Sequence, residues 1–406
     1  MNKPQSAKEL EAKHYDACRR DFFHMPAGIY LCGNSLGLCP KQAQENVNEE
    51  FTAWRELAVH AHTEAKHPWV SYHELLTDGL SRLVGGFHDE VVAMNGLTIN
   101  LHLMLVSFYR PKGKRRKILV EHGLFPSDRY AIESHIRWHG MIPEEVLVFF
   151  EPRHHERILR DEDMQKTIAE HGDSLALVLL GQPNYLTGQA YDVEALARST
   201  HDVGALLGLD LAHGIGNLPL KLNAWQIDFA VWCSYKYLNA GPGALAGAFV
   251  HRNHHGVALP RLEGWWGHHK PSRFDMPDRF VPIGGAETWQ LSNPPIFQAA
   301  SLRASLSVFD SVEQDARVAR SRALTDYLEA RLHGVGLGVI TPKSRGAQLS
   351  VRVGDHAEAI ANALAKRGVI VDVRPPDLIR MSPVALYNTF AEIDQAAEVM
   401  RDVLAR

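Results

Sequence analysis

The segment ALLGLDLAHGIGN, residues 205–217, is an apolar run that ends in a carboxylate, Asp210, and passes into a glycine-rich turn. A strand that is apolar on both faces is typical of a parallel sheet covered by helices on both sides. Six further runs of this kind alternate with helical patterns along the chain. They are VVAM (91–94), KILVE (117–121), VLVFF (146–150), LALVLL (175–180), FAVWCS (229–234) and GAFVH (247–251). The alternation predicts an α/β fold with a mostly parallel central sheet.

The regions after this alternation predict the domain organisation. Residues 253–295 lack periodicity and are rich in Gly, Pro, His, Trp and Arg, so we expect a long ordered loop with a functional role. A long helical stretch is expected over 296–332, followed by short extended runs and two more helices. We therefore predict an N-terminal segment (1–60) that packs with the small domain, a large domain (61–300) and a small α+β C-terminal domain (301–406).

The composition bounds the class of protein. A formal net charge of −4 over 406 residues gives no reason to expect nucleic acid or an anionic membrane as a partner. The basic run KGKRRK (112–117) is interpreted as a solvated turn. The first residues, MNKPQSAKEL, lack the apolar stretch of a secretory signal, and no apolar run is long enough to span a bilayer. Four cysteines without CxxC spacing do not suggest a disulfide framework. We expect a cytoplasmic protein.

Three polar features stand at the ends of predicted strands, where parallel sheets bind their ligands. Thr98 begins the helix after VVAM and either caps that helix or helps its free N–H groups to bind a phosphate. Asp210 either caps its strand or pairs with a protonated pyridinium nitrogen. Lys236 follows FAVWCS and is either an ordinary surface lysine or an amine that attacks an aldehyde. Together, in this order, they predict that Lys236 holds pyridoxal 5'-phosphate as a Schiff base.

Other chemistries find less support in the residues. The motif GNSLG (33–37) matches the nucleophile elbow of serine hydrolases, but Gly37 and Pro40 delay the helix that an elbow requires. The histidine pairs 154–155, 254–255 and 268–269 fall in polar loops without the HExxH spacing of a zinc site, so we expect no metal. The minimal motifs of nucleotide-binding loops are also missing from the sequence.

The sequence resembles the kynureninases, a family of pyridoxal-phosphate enzymes with the aminotransferase fold (fold type I). The resemblance covers nearly the whole chain and is carried by a series of blocks in family order. These are GNSLG (33–37), NGLTINLHLML (95–105), FPSDRYAIESH (125–135), NYLTGQ (184–189), DLAHGIGN (210–217), WCSYKYLNAGPG (232–243), GWWGHH (264–269), SNPP (292–295) and RMSPVALYNTF (380–390). It implies a homodimer with shared active sites that hydrolyses L-kynurenine, or 3-hydroxykynurenine, between Cβ and Cγ. The products would be anthranilate, or 3-hydroxyanthranilate, and L-alanine.

The resemblance also implies a role for individual residues. The cofactor would be held by Leu97, Thr98, Phe125, Pro126, Ser127, Asp128, Asp210, His213, Tyr235, Lys236, Trp265 and Asn293, the last two reaching in from the partner subunit. Lys236 would act as general base and Tyr235 as proton donor. The substrate would be bound by Arg380 at its α-carboxylate and by Ser35, His62 and Asn293. Gly181 departs from the pattern, because some relatives have Ser or Thr there, which puts a side-chain hydroxyl contact in doubt.

Two related functions are left as alternatives. A cysteine desulfurase or selenocysteine lyase of the same fold would need a nucleophilic cysteine in the C-terminal half. Here no cysteine follows Cys233, which we expect inside the strand FAVWCS. A non-catalytic regulator would lack the lysine or the arginine clamp, and both Lys236 and Arg380 are present.

Overall fold

The computed structural model describes residues 5–405, which form three sheets and the helices around them. The strands are β1 (Ile29–Tyr30), β2 (Val91–Ala93), β3 (Lys117–Glu121), β4 (Leu147–Phe150), β5 (Leu175–Gly181), β6 (Leu206–Asp210), β7 (Phe229–Trp232), β8 (Gly247–Val250), β9 (Gly338–Val339), β10 (Leu349–Arg352), β11 (Val369–Ile370), β12 (Asp372–Arg374) and β13 (Leu378–Met381). The helices are α1 (Ala7–Lys13), α2 (Lys41–Leu57), α3 (Ala61–Glu64), α4 (Glu74–Val84), α5 (Leu97–Phe108), α6 (Pro126–Trp138), α7 (Pro143–Val146), α8 (Asp161–His171), α9 (Val193–Asp202), α10 (Ile296–Asp310), α11 (Gln314–Gly334), α12 (Ala357–Lys366) and α13 (Phe390–Leu404).

The large sheet confirms the predicted alternation. Its seven strands lie in the order β2-β8-β7-β6-β5-β3-β4, and each of the seven predicted runs contributes one of them. All neighbours are parallel except those of β8, which runs antiparallel to both β7 and β2. The predicted α/β fold with a mostly parallel central sheet is therefore confirmed.

Strand β5 shows why these runs form a sheet that is covered on both faces. Val178 and Leu180 belong to one apolar core, and Leu177 and Leu179 to a second core on the opposite face. All four side chains are fully buried. Because successive side chains of a strand point to opposite faces, only a run without polar interruption can fill both cores. Each such burial contributes about 1.5–3 kcal/mol to folding.

The C-terminal region forms a separate antiparallel sheet in the order β12-β13-β10-β9, packed against α11, α12 and α13. The N-terminal segment contacts this region, because β1 pairs in parallel with β11 and α1 packs on α13. These contacts favour the predicted association of residues 1–60 with the small domain. The three domain boundaries stay a prediction, and residues 1–4 and 406 lie outside the described part of the chain.

The helical stretch expected over 296–332 is confirmed, and the structure divides it into two helices. Helix α10 ends at Asp310 and α11 begins at Gln314. At the break, the Ser311 hydroxyl donates a hydrogen bond to the carbonyl of Val308 (2.7 Å) and accepts one from Arg19 Nε (2.8 Å). A serine side chain that bonds the backbone in this way competes with helix propagation. Helix α10 packs on α2 and α4, whereas α11 packs on α13.

Two segments between regular elements have the conformation that the sequence predicts. Residues 112–115 form a tight turn closed by backbone hydrogen bonds between Lys112 and Arg115, and the basic run ends at Lys117, the first residue of β3. Residues 253–295 run from β8 to α10 as an extended loop with short 3-10 turns, such as Trp265–Gly267 and Ala286–Trp289. Among residues 5–405, every helix is too short or too polar to cross a membrane.

Candidate active site

A cavity of about 150 Å³ lies at the carboxyl ends of β3, β5, β6 and β7. Because these strands are parallel, the residues that follow them meet at one edge of the sheet. The cavity is lined by Leu97, Thr98, Glu121, Phe125, Ser127, Asp128, Gly181, Pro183, Tyr185, Asp210, Ala212, His213, Cys233, Tyr235 and Lys236. The three features singled out in the sequence therefore face a single space.

Lys236 follows β7, and its ammonium group lies among aromatic rings and beside a histidine. The Nζ atom is 3.0 Å from Nε2 of His213, 5.9 Å from the centre of the Phe125 ring and 5.8 Å from that of Tyr235. Burial, with a further contribution from the charge of Lys236, holds the pKa of His213 well below its usual range. The His213 ring is therefore neutral at pH 7 and its Nε2 can accept a hydrogen bond from Lys236.

The motif GNSLG packs against the backbone of the turn that carries Lys236. The N–H of Gly37 donates to the carbonyl of Tyr235 (2.8 Å), and a side chain at position 37 would collide with the carbonyl of Lys236. Only glycine permits such a close approach of two backbones. The motif is therefore a backbone support and no nucleophile elbow: Ser35 is exposed, and the next helix begins only at Lys41.

Three carboxyl groups line the cavity. Asp210 ends β6 and accepts a hydrogen bond from the N–H of Ala212 (2.6 Å). Burial, together with Asp210 and Glu121 nearby, raises the pKa of Asp128, whose Oδ1 is buried without a hydrogen-bond partner. Burial raises the pKa of Glu121 to about 8, although hydrogen bonds from Gly181 and Asn184 act in the opposite direction. Crowded carboxyls of this kind favour a cationic ligand, because a positive charge lets more of them ionise.

Two helix N-termini point at the opposite end of the cavity. Leu97 and Thr98 lie in the first turn of α5, and Ser127 lies in the first turn of α6. The Thr98 and Ser127 hydroxyl oxygens are 2.9 Å apart. The interpretation of Thr98 as a helix cap is wrong, because Gly96 occupies the capping position and leaves the N–H groups of the first turn without a side-chain partner. Free N–H groups, two hydroxyls and two helix dipoles form a site suited to a phosphate.

An aromatic wall closes one side of the cavity. Phe125 precedes α6, and the Tyr185 ring packs edge-on against it with ring centres 5.1 Å apart. Pro183 stands beside them. A flat apolar ring of this kind can stack on an aromatic ligand while the carboxyl groups address its nitrogen.

Arg380 lies on β13, outside the lining of the cavity, and is almost fully buried. Its guanidinium forms an ion pair with Asp372, which is its direct neighbour on β12. Its Nη1 donates to the carbonyl of Tyr185 (2.6 Å), and the amide oxygen of Asn34, turned toward the guanidinium, lies 3.2 Å from Nη2. Arg380 therefore reaches the cavity wall through Tyr185.

Several residues implied by the family resemblance do not line this cavity. Pro126 is exposed in the first turn of α6, and Ser35 and His62 are exposed and do not belong to the lining. Trp265 donates its indole N–H to the carbonyl of Arg273 (3.1 Å), and Asn293 is exposed. The single chain does not bring these residues together with Lys236.

Sequence reasoning missed Glu121, Pro183, Tyr185 and Ala212 as lining residues. The signal for Glu121 was present, because it ends the apolar run KILVE just as Asp210 ends ALLGLD. Cys233 was expected inside a strand, which is wrong: β7 ends at Trp232, and Cys233 lines the cavity. Burial raises the pKa of the Cys233 thiol to about 11, so it is not a thiolate at neutral pH.

One cluster elsewhere in residues 5–405 has the spacing of metal ligands, formed by His73, Glu74 and Glu287. The ammonium of Lys270 lies between its two carboxylates, 2.8 Å from Glu74 and 2.7 Å from Glu287. The Lys270 ammonium thus supplies the positive charge that a metal ion would bring, and the cluster is an ion-pair network.

Comparison with known proteins identifies relatives along the whole chain. The family description "Kynureninase C-terminal domain" matches residues 318–400. A kynureninase of Myxococcus xanthus is 51% identical over 95% of this chain and 94% of its own length. A kynureninase of Xanthomonas campestris pv. campestris is 49% identical over 97% and 96%, and one of Koribacter versatilis is 45% identical over 95% and 94%.

Solved structures resemble the fold at lower identity. A variant of the enzyme C-DES, with glycine covalently linked to its PLP cofactor, superposes with a TM-score of 0.79 at 17% identity over 92% of this chain and 96% of its own. The cysteine desulfurase of Thermococcus onnurineus NA1 gives 0.78 at 19% identity over 93% and 95%. These likenesses confirm the predicted fold, fold type I of the pyridoxal-phosphate enzymes.

The raised pKa of Glu121 predicts a pH dependence of stability in protein freed of any ligand. The unfolded chain releases this proton near 4.5, whereas the folded protein retains it up to about 8. Ionisation therefore favours the unfolded state between these values, and stability falls as the pH rises. Glu121→Gln cannot ionise, so its melting temperature should fall less than that of wild type between pH 5 and pH 8. Glu398→Gln, at an exposed position of α13, serves as control, and a Glu121→Gln curve parallel to wild type would contradict the assignment.

Proposed function

We propose the function from one premise: the chain belongs to the kynureninase family. On that premise it is a pyridoxal-phosphate-dependent hydrolase of carbon–carbon bonds. It adds water across the Cβ–Cγ bond of L-kynurenine or 3-hydroxykynurenine and releases the anthranilate product and L-alanine. The observation that carries the proposal is one cavity in which the Lys236 amine, the Asp210 carboxyl and two helix N-termini face each other.

The residues of the cavity fit the cofactor. Pyridoxal phosphate, when bound, supplies an aldehyde that joins to an amine and a protonated ring that accepts electrons. The N-termini of α5 and α6, with Thr98 and Ser127, would bind its phosphate, and Phe125 would stack on its ring. Asp210 would pair with the ring nitrogen. The positive charge at that nitrogen would reduce the repulsion among the neighbouring carboxyl groups. One of these groups, Asp128, has an Oδ1 atom without a hydrogen-bond partner.

Lys236 holds the cofactor and then moves a proton. Once the substrate amine has taken its place, the free Nζ is positioned to remove the proton from the substrate Cα. His213, neutral and 3.0 Å away, accepts a hydrogen bond from Nζ and so orients its lone pair toward the cavity.

Tyr235 is the proton donor in this proposal. Its ring lies beside the Lys236 Nζ, and burial, with the neighbouring Cys233, raises the pKa of its hydroxyl above the usual value. The hydroxyl therefore keeps its proton at neutral pH and can deliver it to Cβ of the alanine fragment when the Cβ–Cγ bond breaks.

Arg380 binds the α-carboxylate of the substrate. A guanidinium has donors on several edges, and here Asp372 and the Tyr185 carbonyl hold part of them so that the remaining edge has a defined direction. Ser35, His62 and Asn293 would contact the aromatic end of the substrate, as the family pattern implies.

The active enzyme is a homodimer in this proposal, with Trp265 and Asn293 reaching the site of the partner subunit. Exposed aromatic residues support an interface: Phe51 stacks on Phe297 with ring centres 4.3 Å apart, and Trp54 lies beside them. Large apolar groups on a surface mark contact sites. A cytoplasmic location is proposed as well, supported by four cysteines that are all free thiols.

A cysteine desulfurase activity is less well supported. The desulfurase structures resemble this chain below 20% identity, which speaks for the fold alone. Desulfuration needs a reactive thiolate, and Cys233, the last cysteine of the sequence, is buried with a pKa raised to about 11.

The decisive experiment is anthranilate fluorescence after L-kynurenine or 3-hydroxykynurenine is added to the protein loaded with pyridoxal phosphate. Wild type should form the fluorescent product from at least one of them. Lys236→Ala should form none, because it lacks both the covalent anchor and the base. The exposed Lys221→Ala should behave as wild type. Absence of product from both substrates with wild-type protein would refute the proposed function.

Removing the Tyr235 hydroxyl tests its role as proton donor. Tyr235→Phe keeps the ring but should lower kcat by roughly 100-fold, the lower end of general-acid contributions. The visible absorption of the bound cofactor should remain, and the exposed Tyr130→Phe should have no effect. Turnover of Tyr235→Phe at the wild-type rate would exclude the role.

A further inference from the structure

Glu121 lies at the end of β3 and has no role in the proposed chemistry, although it lines the cavity and is 1% exposed. Its Oε2 accepts a hydrogen bond from the N–H of Gly181 (2.8 Å), and its Oε1 accepts one from the side-chain amide of Asn184 (3.3 Å). Gly181 is the direct neighbour of Asp210 in the pairing of β5 with β6. One carboxyl group thus holds the strand end beside Asp210 and the first residue of the following turn.

Asn184 organises that turn. Its Oδ1 accepts hydrogen bonds from the N–H groups of Leu186 (3.0 Å) and Thr187 (2.9 Å) and from the Thr187 hydroxyl (3.0 Å). With its oxygen engaged three times, the amide can present only its Nδ2 donor to Glu121. The orientation of Asn184 is therefore determined, and the Glu121 carboxyl connects the turn to the end of β5 by bonding both Asn184 and Gly181.

The residue presented by this turn is Tyr185, which connects two parts of the site. Its ring packs on Phe125 in the cavity wall, and its carbonyl accepts hydrogen bonds from Arg380 Nη1 (2.6 Å) and from Gln348 Nε2 (3.0 Å). A displacement of the turn would move the aromatic wall and remove a partner that directs Arg380.

The absence of a side chain at Gly181 makes room for this arrangement. A Cβ atom at position 181 would lie 2.8 Å from Oε1 of Glu121, which is closer than Cβ atoms approach other heavy atoms. A residue with a side chain at position 181 would therefore displace the Glu121 carboxyl from the position that it occupies in this chain. Glu121 fills the space that such a side chain would take.

We propose that Glu121 and Asn184 form a positioning pair that sets Tyr185, and through it Arg380, relative to the cofactor cavity. The pair does not touch the reacting atoms; it determines where the α-carboxylate of the substrate is bound. This inference rests on the proposed function for the identity of the substrate. It predicts that weakening the pair raises KM and leaves the attachment of the cofactor intact.

Exchanging the two partners tests the pair directly. Asn184→Asp keeps the oxygen that organises the turn and replaces the donor by a second oxygen, which faces the Glu121 carboxyl. Glu121→Gln keeps one acceptor for Gly181 and turns an amide donor toward the donor of Asn184. Each single variant should raise KM for L-kynurenine on the order of tenfold, the upper end of what one lost hydrogen bond contributes. The kcat should change by less than about threefold.

The double variant Glu121→Gln/Asn184→Asp reverses the polarity of the contact, so that the glutamine amide donates to the aspartate. It should return KM to within about twofold of wild type, which independent effects cannot do. All variants should keep the visible absorption of the bound cofactor. Glu398, an exposed acid on α13, provides the matched control, and Glu398→Gln should leave KM unchanged.

Three results would overturn the pairing: single variants with wild-type KM, a double variant that combines both defects, or single variants that lose the cofactor absorption. The affinity for L-alanine, read from the change in that absorption, gives a second measure of carboxylate binding that needs no turnover. If wild type makes no anthranilate, the proposed function is refuted. If the single variants then still lose affinity for L-alanine and the double variant recovers it, the positioning pair is nevertheless supported.

Discussion

Parallel strands expose the same kind of end at one edge of a sheet, and that constraint determines where this molecule can gather polar groups. The strands β3, β5, β6 and β7 are apolar between their ends, so charged side chains are tolerated only at the ends of the strands or beyond them. Glu121, Asp210 and Lys236 occupy those ends, from three different strands. The helices that follow β2 and β3 turn their N-termini to the same space. The order and direction of the strands therefore bring the anion site, the carboxyl groups and the lysine amine together.

The electrostatics of the cavity follow from this gathering. Burial and the neighbouring carboxyl groups raise the pKa values of Glu121 and Asp128, and the Asp128 Oδ1 atom has no hydrogen-bond partner at all. A ligand that combines a cationic ring nitrogen with an anionic phosphate would pair its cation with the carboxyl groups at one end of the cavity. Its phosphate would accept hydrogen bonds from the helix N-termini at the other end. The protein stabilises that ligand by the same groups whose mutual repulsion disfavours the empty site. Lys236 can then act as an amine beside a neutral His213.

Sequence patterns predicted the large sheet because buried strands need unbroken apolar runs, and they predicted Asp210 and Lys236 because each interrupts such a run at its end. They failed where a result depends on which strands are neighbours. The contact of Glu121 with Gly181 and Asn184 requires β3 to lie beside β5, an order that no local pattern reveals. The division of residues 296–332 into two helices depends on Ser311, whose hydroxyl competes for the backbone and whose partner Arg19 is distant in the chain. Arg380 was identified by resemblance, and its ion pair with Asp372 became visible only with the pairing of β12 and β13.

The central claim is that the Lys236 amine is the covalent anchor of pyridoxal phosphate. Borohydride reduction of the loaded protein, followed by proteolysis and mass spectrometry, measures this directly. The account predicts one phosphopyridoxyl group on the peptide that contains Lys236 and none on any other lysine. A reduced cofactor attached to a different lysine, or no attachment after loading, would contradict it.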